Sequence, residues 1–250
     1  FSGVGTFIYH LDCTNHGWIA IFDCKTLAAF VEQYFSFPTD LFCTEKMAHL
    51  ILASSSPRRR ELLQQLGLEF DIFSPAICKV SKISTDEIFS PEIDESVLAG
   101  EDVAAYVERL ACAKAQAVLE QFPDAIILAA DTSVGVDDQI LGKPESKQHA
   151  FEMWQSISGR KHDVFSGICV RTSRKKSSIV VRTQVEFQAL SRNDMEDYWA
   201  TGEPLGKAGA YAIQGIAARY IPRIEGSYSN VVGLPLYETV QLLKVVKALN

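Results

Sequence analysis

Leu50-Ile51-Leu52-Ala53-Ser54-Ser55-Ser56-Pro57-Arg58-Arg59-Arg60-Glu61-Leu62-Leu63 is an apolar run that stops abruptly in three serines, then continues through a proline, three arginines and a leucine pair. With Leu66 at helical spacing from Leu62 and Leu63, the pattern predicts a strand, a tight loop and a helix. Proline suits the first turn of that helix, where a missing N–H costs nothing. Such a loop presents hydroxyls and free backbone N–H groups at a helix N-terminus, where the helix dipole favours anions. The arginines oppose the dipole there and need another reason, which a bound polyphosphate supplies because the guanidinium fork matches phosphate oxygens in pairs. The alternative is a solvated basic helix start.

A chain of 250 residues with 47% hydrophobic and 22% charged residues can bury a substantial core, as one large or two small domains. A net charge of -7 and a pI near 5.3 speak against a general affinity for nucleic acid, which needs a basic face. The short basic run holding Arg171, Arg174, Lys175, Lys176 and Arg182 reads as a solvated hairpin. The six cysteines (Cys13, Cys24, Cys43, Cys78, Cys112, Cys169) make no C-x-x-C pair, so neither a zinc site nor a disulfide framework is suggested and a reducing cytoplasm is the expected setting. No apolar run approaches the roughly 20 residues that span a bilayer, so no membrane partner is expected.

In chain order, residues 1–46 look foreign to the rest: they carry three of the six cysteines and lack strand–helix alternation, whereas Met47 stands directly before the first strand. They are expected to be an N-terminal extension or, alternatively, a small docking element with one amphipathic helix over Leu27 to Phe35, with one domain over residues 47–250. Phe70 to Phe73 reads as a second strand, and Asp71-Ile72-Phe73-Ser74-Pro75 is echoed by Glu87-Ile88-Phe89-Ser90-Pro91, which suggests a surface insertion between the copies. A long helix is predicted from Glu101 to about Phe122 with Val103, Val107 and Leu110 on one face. Lys114 continues that stripe, either snorkelling or held as a cation at the rim of a cleft. Ala125 to Ala130 reads as a short buried strand that delivers Asp131 at its C-terminal end, where α/β sheets bind their ligands. A hairpin follows over Val134 to Leu141, then a helix capped by Ser146 and closed by Gly159. Strands are expected over His162–Arg171 and Ser178–Leu190, and a capping-box helix from Ser191 through Trp199. Strands over Gly209–Gly215 and Ala218–Ile224, a loop over Gly226–Asn230 and a helix over Leu236–Leu249 complete the reading. Mixed strands and helices without a repeat imply an α/β protein of two lobes with a cleft between them.

Several of these segments resemble the Maf family: Ala53-Ser54-Ser55-Ser56-Pro57-Arg58-Arg59, Tyr106-Val107-Glu108-Arg109-Leu110-Ala111 with Lys114, and Ala130-Asp131-Thr132 leading to Leu141-Gly142-Lys143-Pro144. So do Ser158-Gly159-Arg160-Lys161-His162, Lys207-Ala208-Gly209-Ala210-Tyr211, Ile213-Gln214-Gly215 and Ile224-Glu225-Gly226-Ser227-Tyr228. The resemblance implies a mixed sheet in the two-lobed Maf/ITPase-like architecture. It also implies hydrolysis of a nucleoside triphosphate between the α and β phosphates, with a divalent cation, Mg²⁺ or Mn²⁺. By resemblance Asp131 is the proton acceptor; from the residues alone it could equally hold the metal, with Glu95 sharing it. Ser56, Arg59, Lys114, Lys143 and Lys207 are expected on the phosphates. Arg58, Thr132 and Gln214 match the specificity positions of the branch that acts on dTTP and UTP. The branch acting on 7-methyl-GTP, and a non-catalytic nucleotide-binding protein affecting septum formation, are the alternatives. Three departures from the family pattern stand out: Gly206 takes the place of an acidic residue, Ala212 that of a glycine, and the segment between the two Phe-Ser-Pro echoes lengthens a loop near Glu95. Oligomeric state is not fixed by the sequence, and a homodimer stays open.

Overall fold

The computed structural model describes residues 49–74, 93–137, 139–246 and 248. The expectations for residues 1–46 and for the segment before the second Ser-Pro echo lie outside these residues. The chain runs β1 (Leu50–Ala53), α1 (Pro57–Gln64), β2 (Asp71–Phe73), α2 (Val103–Leu119), β3 (Ile126–Val136), β4 (Gln139–Leu141), α3 (Lys147–Ile157), β5 (Lys161–Arg171), β6 (Lys176–Glu186) and α4 (Arg192–Ala200). It then passes through 3₁₀ turns at Ala208–Ala210 and Ile216–Tyr220 to β7 (Arg223–Glu225), α5 (Tyr228–Val232) and α6 (Leu236–Val245). The seven strands form one mixed sheet of order β2-β1-β3-β5-β6-β7, with β4 folded back on β3. β1 lies parallel to both β2 and β3, and the remaining pairs are antiparallel. This is the expected α/β class.

Side chains alternate across a strand, and that period of two sorts the core. Leu50, Leu52, Ile126, Leu128 and Ala130 fall on the face covered by Leu62 and Leu63 of α1 and by Leu242 and Leu243 of α6. Ile51, Ala53, Ile127 and Ala129 fall on the other face, against Ala111, Ala115 and Val118 of α2. A third core fills the far half of the sheet around Phe151, Trp154, Ile157, Phe187, Tyr198 and Tyr211. The long strands β3 and β5 pass through both halves, and the cleft lies between them.

Helix α2 comes unusually close to the sheet because β5 offers Gly167 beneath it. A Cβ at that position would run into the Val107 carbonyl and lie 2.8 Å from the Glu108 nitrogen. Helix starts follow the sequence signals. Ser146 accepts from the His149 nitrogen, and Ser191 forms a reciprocal capping box with Asp194. Gly159 takes the left-handed conformation (φ 67°) just beyond α3.

Four expectations are corrected. β3 does not stop at Asp131: it runs for 11 residues, because β5 continues to pair with it from Ile127↔Arg171 to Gly135↔Asp163. Asp131 stands instead just past the end of β1, whose pairing with β3 stops at Leu52↔Leu128, so the sheet opens on that side where the carboxylate sits. Gly209–Gly215 is not a strand, and of Ala218–Ile224 only Arg223 and Ile224 are, as the start of β7, the residues before them being largely a 3₁₀ turn. Gly209 and Ala210 are left-handed (φ 63° and 58°), and their neighbours are satisfied by side chains rather than by a strand partner. Trp154 Nε1 donates to the Ala210 carbonyl at 3.0 Å, and the Ala212 nitrogen donates to Tyr198 Oη at 3.2 Å. Finally, the expected loop after Gly226 contains α5, which Ser227 caps by accepting from the Asn230 nitrogen. The helix after it ends at Val245, short of Leu249.

Candidate active site

The alternation that sorts the core also sorts β3 where it becomes polar. Asp131 follows Ile127 and Ala129 onto the α2 face, and Thr132 follows Leu128 and Ala130 onto the α1 face. The hydrogen bonds match. From α2, Lys114 Nζ donates to Asp131 Oδ1 at 2.6 Å. From α1, Arg59 Nη2 donates to Thr132 Oγ1 at 3.1 Å while its Nε donates to the Gly233 carbonyl at 2.8 Å. Thr132 Oγ1 also lies 2.8 Å from Ser166 Oγ on β5.

Lys114 holds a second carboxylate, Glu95 Oε1, at 2.7 Å. Glu95 lies outside any regular element, and α2 fixes its loop. Tyr106 Oη donates to the Glu95 carbonyl at 2.9 Å, and Arg109 Nη2 donates to the Ser96 carbonyl at 2.8 Å. Arg109 is itself anchored on Glu101, with Nε–Oε1 at 2.6 Å. The Lys114 and Asp131 side chains are each 13% exposed, where an ion pair is shielded from solvent far more than on an open surface. Burial works to raise the Glu95 carboxyl, but the hydrogen bond and charge of Lys114, with Lys143 and Arg59 behind them, outweigh it and hold the group below its ordinary range. Burial, then the charges of Asp131 and Glu95, push the Tyr106 phenol up to about 12, so it stays a donor. Burial also lowers the Arg59 guanidinium, against the same two carboxylates.

All the expected site residues line one cleft of about 700 Å³: Ser56, Arg58, Arg59, Glu95, Lys114, Asp131, Thr132, Lys143, Lys207 and Gln214. That volume suits a small organic ligand. Five cations, Arg58, Arg59, Lys114, Lys143 and Lys207, face three carboxylates, Glu61, Glu95 and Asp131, in a chain whose net charge is -7. The cleft is therefore a local reversal of the protein's charge and draws anions. Ser56 is the N-cap of α1 and makes no side-chain cap hydrogen bond, which leaves its hydroxyl and the first amides of the helix for a ligand. Arg60, third of the run, is exposed and lies outside the lining. Lys143 and Lys207 come from distant parts of the chain and are drawn together by the backbone, where the Gly209 nitrogen donates to the Gly142 carbonyl at 3.0 Å. Gly206 takes φ 71° with open space where a Cβ would stand.

Sequence reasoning missed Ser166, Gly233 and Glu203. Ser166 and Gly233 carry no chemistry-bearing signature and matter only for where the fold puts them. Glu203 stood in plain view in Gly202-Glu203-Pro204, yet its partners are 5 to 14 positions away and not at helical spacing. Among the described residues no group of three or more His, Cys, Asp or Glu side chains converges as a metal site. Glu95 and Asp131 remain as a pair of oxygen donors, the set a hard cation uses when it arrives with phosphates. No described helix is long and apolar enough to cross a membrane.

Comparison with known proteins gives a consistent set of likenesses. Residues 49–246 match the family described as Maf-like protein. The chain is 66% identical over 199 residues to the dTTP/UTP pyrophosphatase of Acinetobacter baylyi, covering 80% of this chain and 100% of that protein. It is 44% identical to the dTTP/UTP pyrophosphatase of Vibrio parahaemolyticus, over 80% of this chain and 98% of the other. For that of Myxococcus xanthus the identity is 47%, over 78% and 91%.

Proposed function

This chain belongs to the Maf-like protein family, and from that premise we propose that it hydrolyses dTTP and UTP to the monophosphate and pyrophosphate. The observation that carries the reading is the Lys114 ammonium held between Asp131 and Glu95 in a cationic cleft, beside an uncapped helix start. The names of the related dTTP/UTP pyrophosphatases supply the substrates.

In this reading the triphosphate lies along the α1 N-terminus, with Ser56 at its oxygens, Lys143 and Lys207 from the opposite lobe, and Arg58 toward the base. A water attacks the α-phosphorus and gives its proton to Asp131 Oδ. The bond from the α-phosphorus to the bridging oxygen breaks, and pyrophosphate leaves with its charge opposed by the lysines. Lys114 orients the Asp131 carboxylate and moderates its repulsion by the substrate. Glu95 and Asp131 would hold a divalent cation, which when bound neutralises phosphate charge and polarises the P–O bonds. Arg59 serves the reaction indirectly, since its fork already ties Thr132 to the Gly233 carbonyl. Gln214, exposed at the rim, offers an amide that can both donate and accept, as the O4 and N3–H edge of uracil and thymine requires.

A panel of nucleoside triphosphates with pyrophosphate detection tests the reading. dTTP and UTP should be turned over in preference to CTP, the purine nucleotides and 7-methyl-GTP. Preference for 7-methyl-GTP, or binding with no turnover at any divalent cation tried, would overturn it.

A further inference from the structure

The turn that carries Gln214 is held at both ends by one carboxylate–phenol pair. Glu203 Oε2 accepts from the Ile216 nitrogen at 2.8 Å, and Oε1 accepts from the Ala217 nitrogen at 3.3 Å. The same Oε1 accepts from Tyr198 Oη at 2.7 Å. That phenol oxygen in turn accepts from the Ala212 nitrogen at 3.2 Å, on the near side of the turn. Between the two anchor points the turn closes on itself, with the Gly215 nitrogen donating to the Ala212 carbonyl at 3.0 Å. Gln214 is the residue lifted at its apex, exposed and in the lining of the cleft.

The fit leaves no slack. A Cβ on Gly215 would fall on the Glu203 carboxylate, so glycine at 215 is what lets the carboxylate reach the two amides beyond it. Tyr198 is 2% exposed and packs on Trp154, with ring centroids 5.2 Å apart, so the phenol is fixed by the third core and does not follow the turn. Arg58, at the start of α1, also feels this pair: burial lowers its guanidinium, and Glu203 and then Tyr198 are the leading charges that oppose it. Gln214, one of the three positions assigned to base selection, is thus held by one carboxylate that itself lies outside the cleft lining and whose charge also reaches Arg58.

The geometry points to Glu203, acting with Tyr198, as the positioning residue that presents Gln214 to the base, so that pyrimidine selectivity depends on a side chain that does not touch the nucleotide. This rests on the pyrophosphatase reading and on Gln214 meeting the base. A charge-assisted hydrogen bond to a backbone amide is among the stronger ones, and a misplaced amide side chain loses a pairing the site was built for.

The test compares Glu203→Gln, Glu203→Ala and Tyr198→Phe with the unsubstituted protein. Glu203→Gln keeps an oxygen acceptor and should lower kcat/KM for dTTP about tenfold, Glu203→Ala more, with the loss in KM rather than kcat and with dCTP hardly affected. Hydrogen exchange should quicken at Ile216 and Ala217 in the Glu203 variants and at Ala212 in Tyr198→Phe. Equal losses on dTTP and dCTP, a loss confined to kcat, or unchanged protection of these amides would overturn the proposal. Should Glu203→Ala fail to fold, Glu203→Gln and Tyr198→Phe carry the same readouts. Turnover of dTTP and UTP by the unsubstituted protein tests the reading beneath. Amide exchange, with equilibrium binding of dTMP against dCMP, tests the positioning role whatever that turnover is.

Discussion

Lys114 Nζ lies 2.6 Å from Asp131 Oδ1, so the carboxylate assigned as proton acceptor is one half of an ion pair whose other half is a cation in the cleft. In the proposed reaction the pair would put base and charge clamp into a single unit.

Asp131→Asn should retain the fold and lose most hydrolysis, about a hundredfold or more in kcat, because an amide cannot take the proton. Circular dichroism and steady-state kinetics measure the two sides. A folded variant with near-normal turnover would reduce Asp131 to a structural or metal-holding role.

Replacing Lys114 by Met leaves Asp131 and Glu95 facing each other without their shared cation. The lysine is what outweighs burial at Glu95, so the Glu95 carboxyl should rise in the variant. In the unsubstituted protein the lowered Glu95 value contributes stability that is present above the ordinary range of about 4.3 and is lost as pH falls through the folded value. Lys114→Met should therefore melt lower near pH 5 to 7 and lose less on acidification. A melting curve whose pH dependence matched that of the parent would rule this out.

His162 is 3% exposed, with Nε2 at 2.8 Å from Tyr211 Oη, and Nδ1 has no partner among the described residues. Burial pulls it down to about 4 from an ordinary 6.5. Between those values the unfolded chain binds the proton and the folded chain does not, so stability rises with pH there. The contribution is full above about 6.5 and is lost as pH falls toward 4, on the order of 3 kcal/mol at ~1.4 kcal/mol per unit. His162→Phe should flatten the slope of stability against pH in that window, and denaturant titrations at pH 4.5 and 7 would show whether it does.

Gly167→Ala places a methyl against the Val107 carbonyl and must push α2 off the sheet. Overpacking of this kind costs about 1–3 kcal/mol. Because α2 carries Lys114, kcat should fall as well, by roughly tenfold, given how steeply rate depends on placement. A drop in melting temperature without a change in kcat would mean that Lys114 keeps its position when the helix shifts.

Gln214→Glu removes the amide donor and sets a negative charge where O4 must accept a hydrogen bond. kcat/KM for dTTP and UTP should drop by roughly one to two orders of magnitude, from ~1–3 kcal/mol for an unsatisfied polar group. CTP, whose N4 amine donates, should lose less or gain. Uniform losses across bases would place specificity elsewhere.

The strand–loop–helix from Leu50 to Leu63, the helix starts at Ser146 and Ser191, and the ten expected residues that line the cleft were legible in the sequence, whereas Glu61 and Gly233 of the same cleft were not. Those signals are local: a period of two or 3.6, a capping hydroxyl, a serine run before a proline. What the sequence could not decide is which groups meet. Asp131 and Thr132 are neighbours in the chain yet face opposite sides of β3, and only the packing of α2 on one face and α1 on the other assigns Lys114 to the first and Arg59 to the second. The length of β3 beyond Asp131 was set by its pairing with β5, a strand distant in the sequence. The Gly209–Gly215 segment failed as a strand because Trp154 and Tyr198, brought from other helices, satisfy its backbone in place of a neighbouring strand. A local pattern fixes where a side chain points relative to its own element, and the tertiary fold alone fixes what waits for it there.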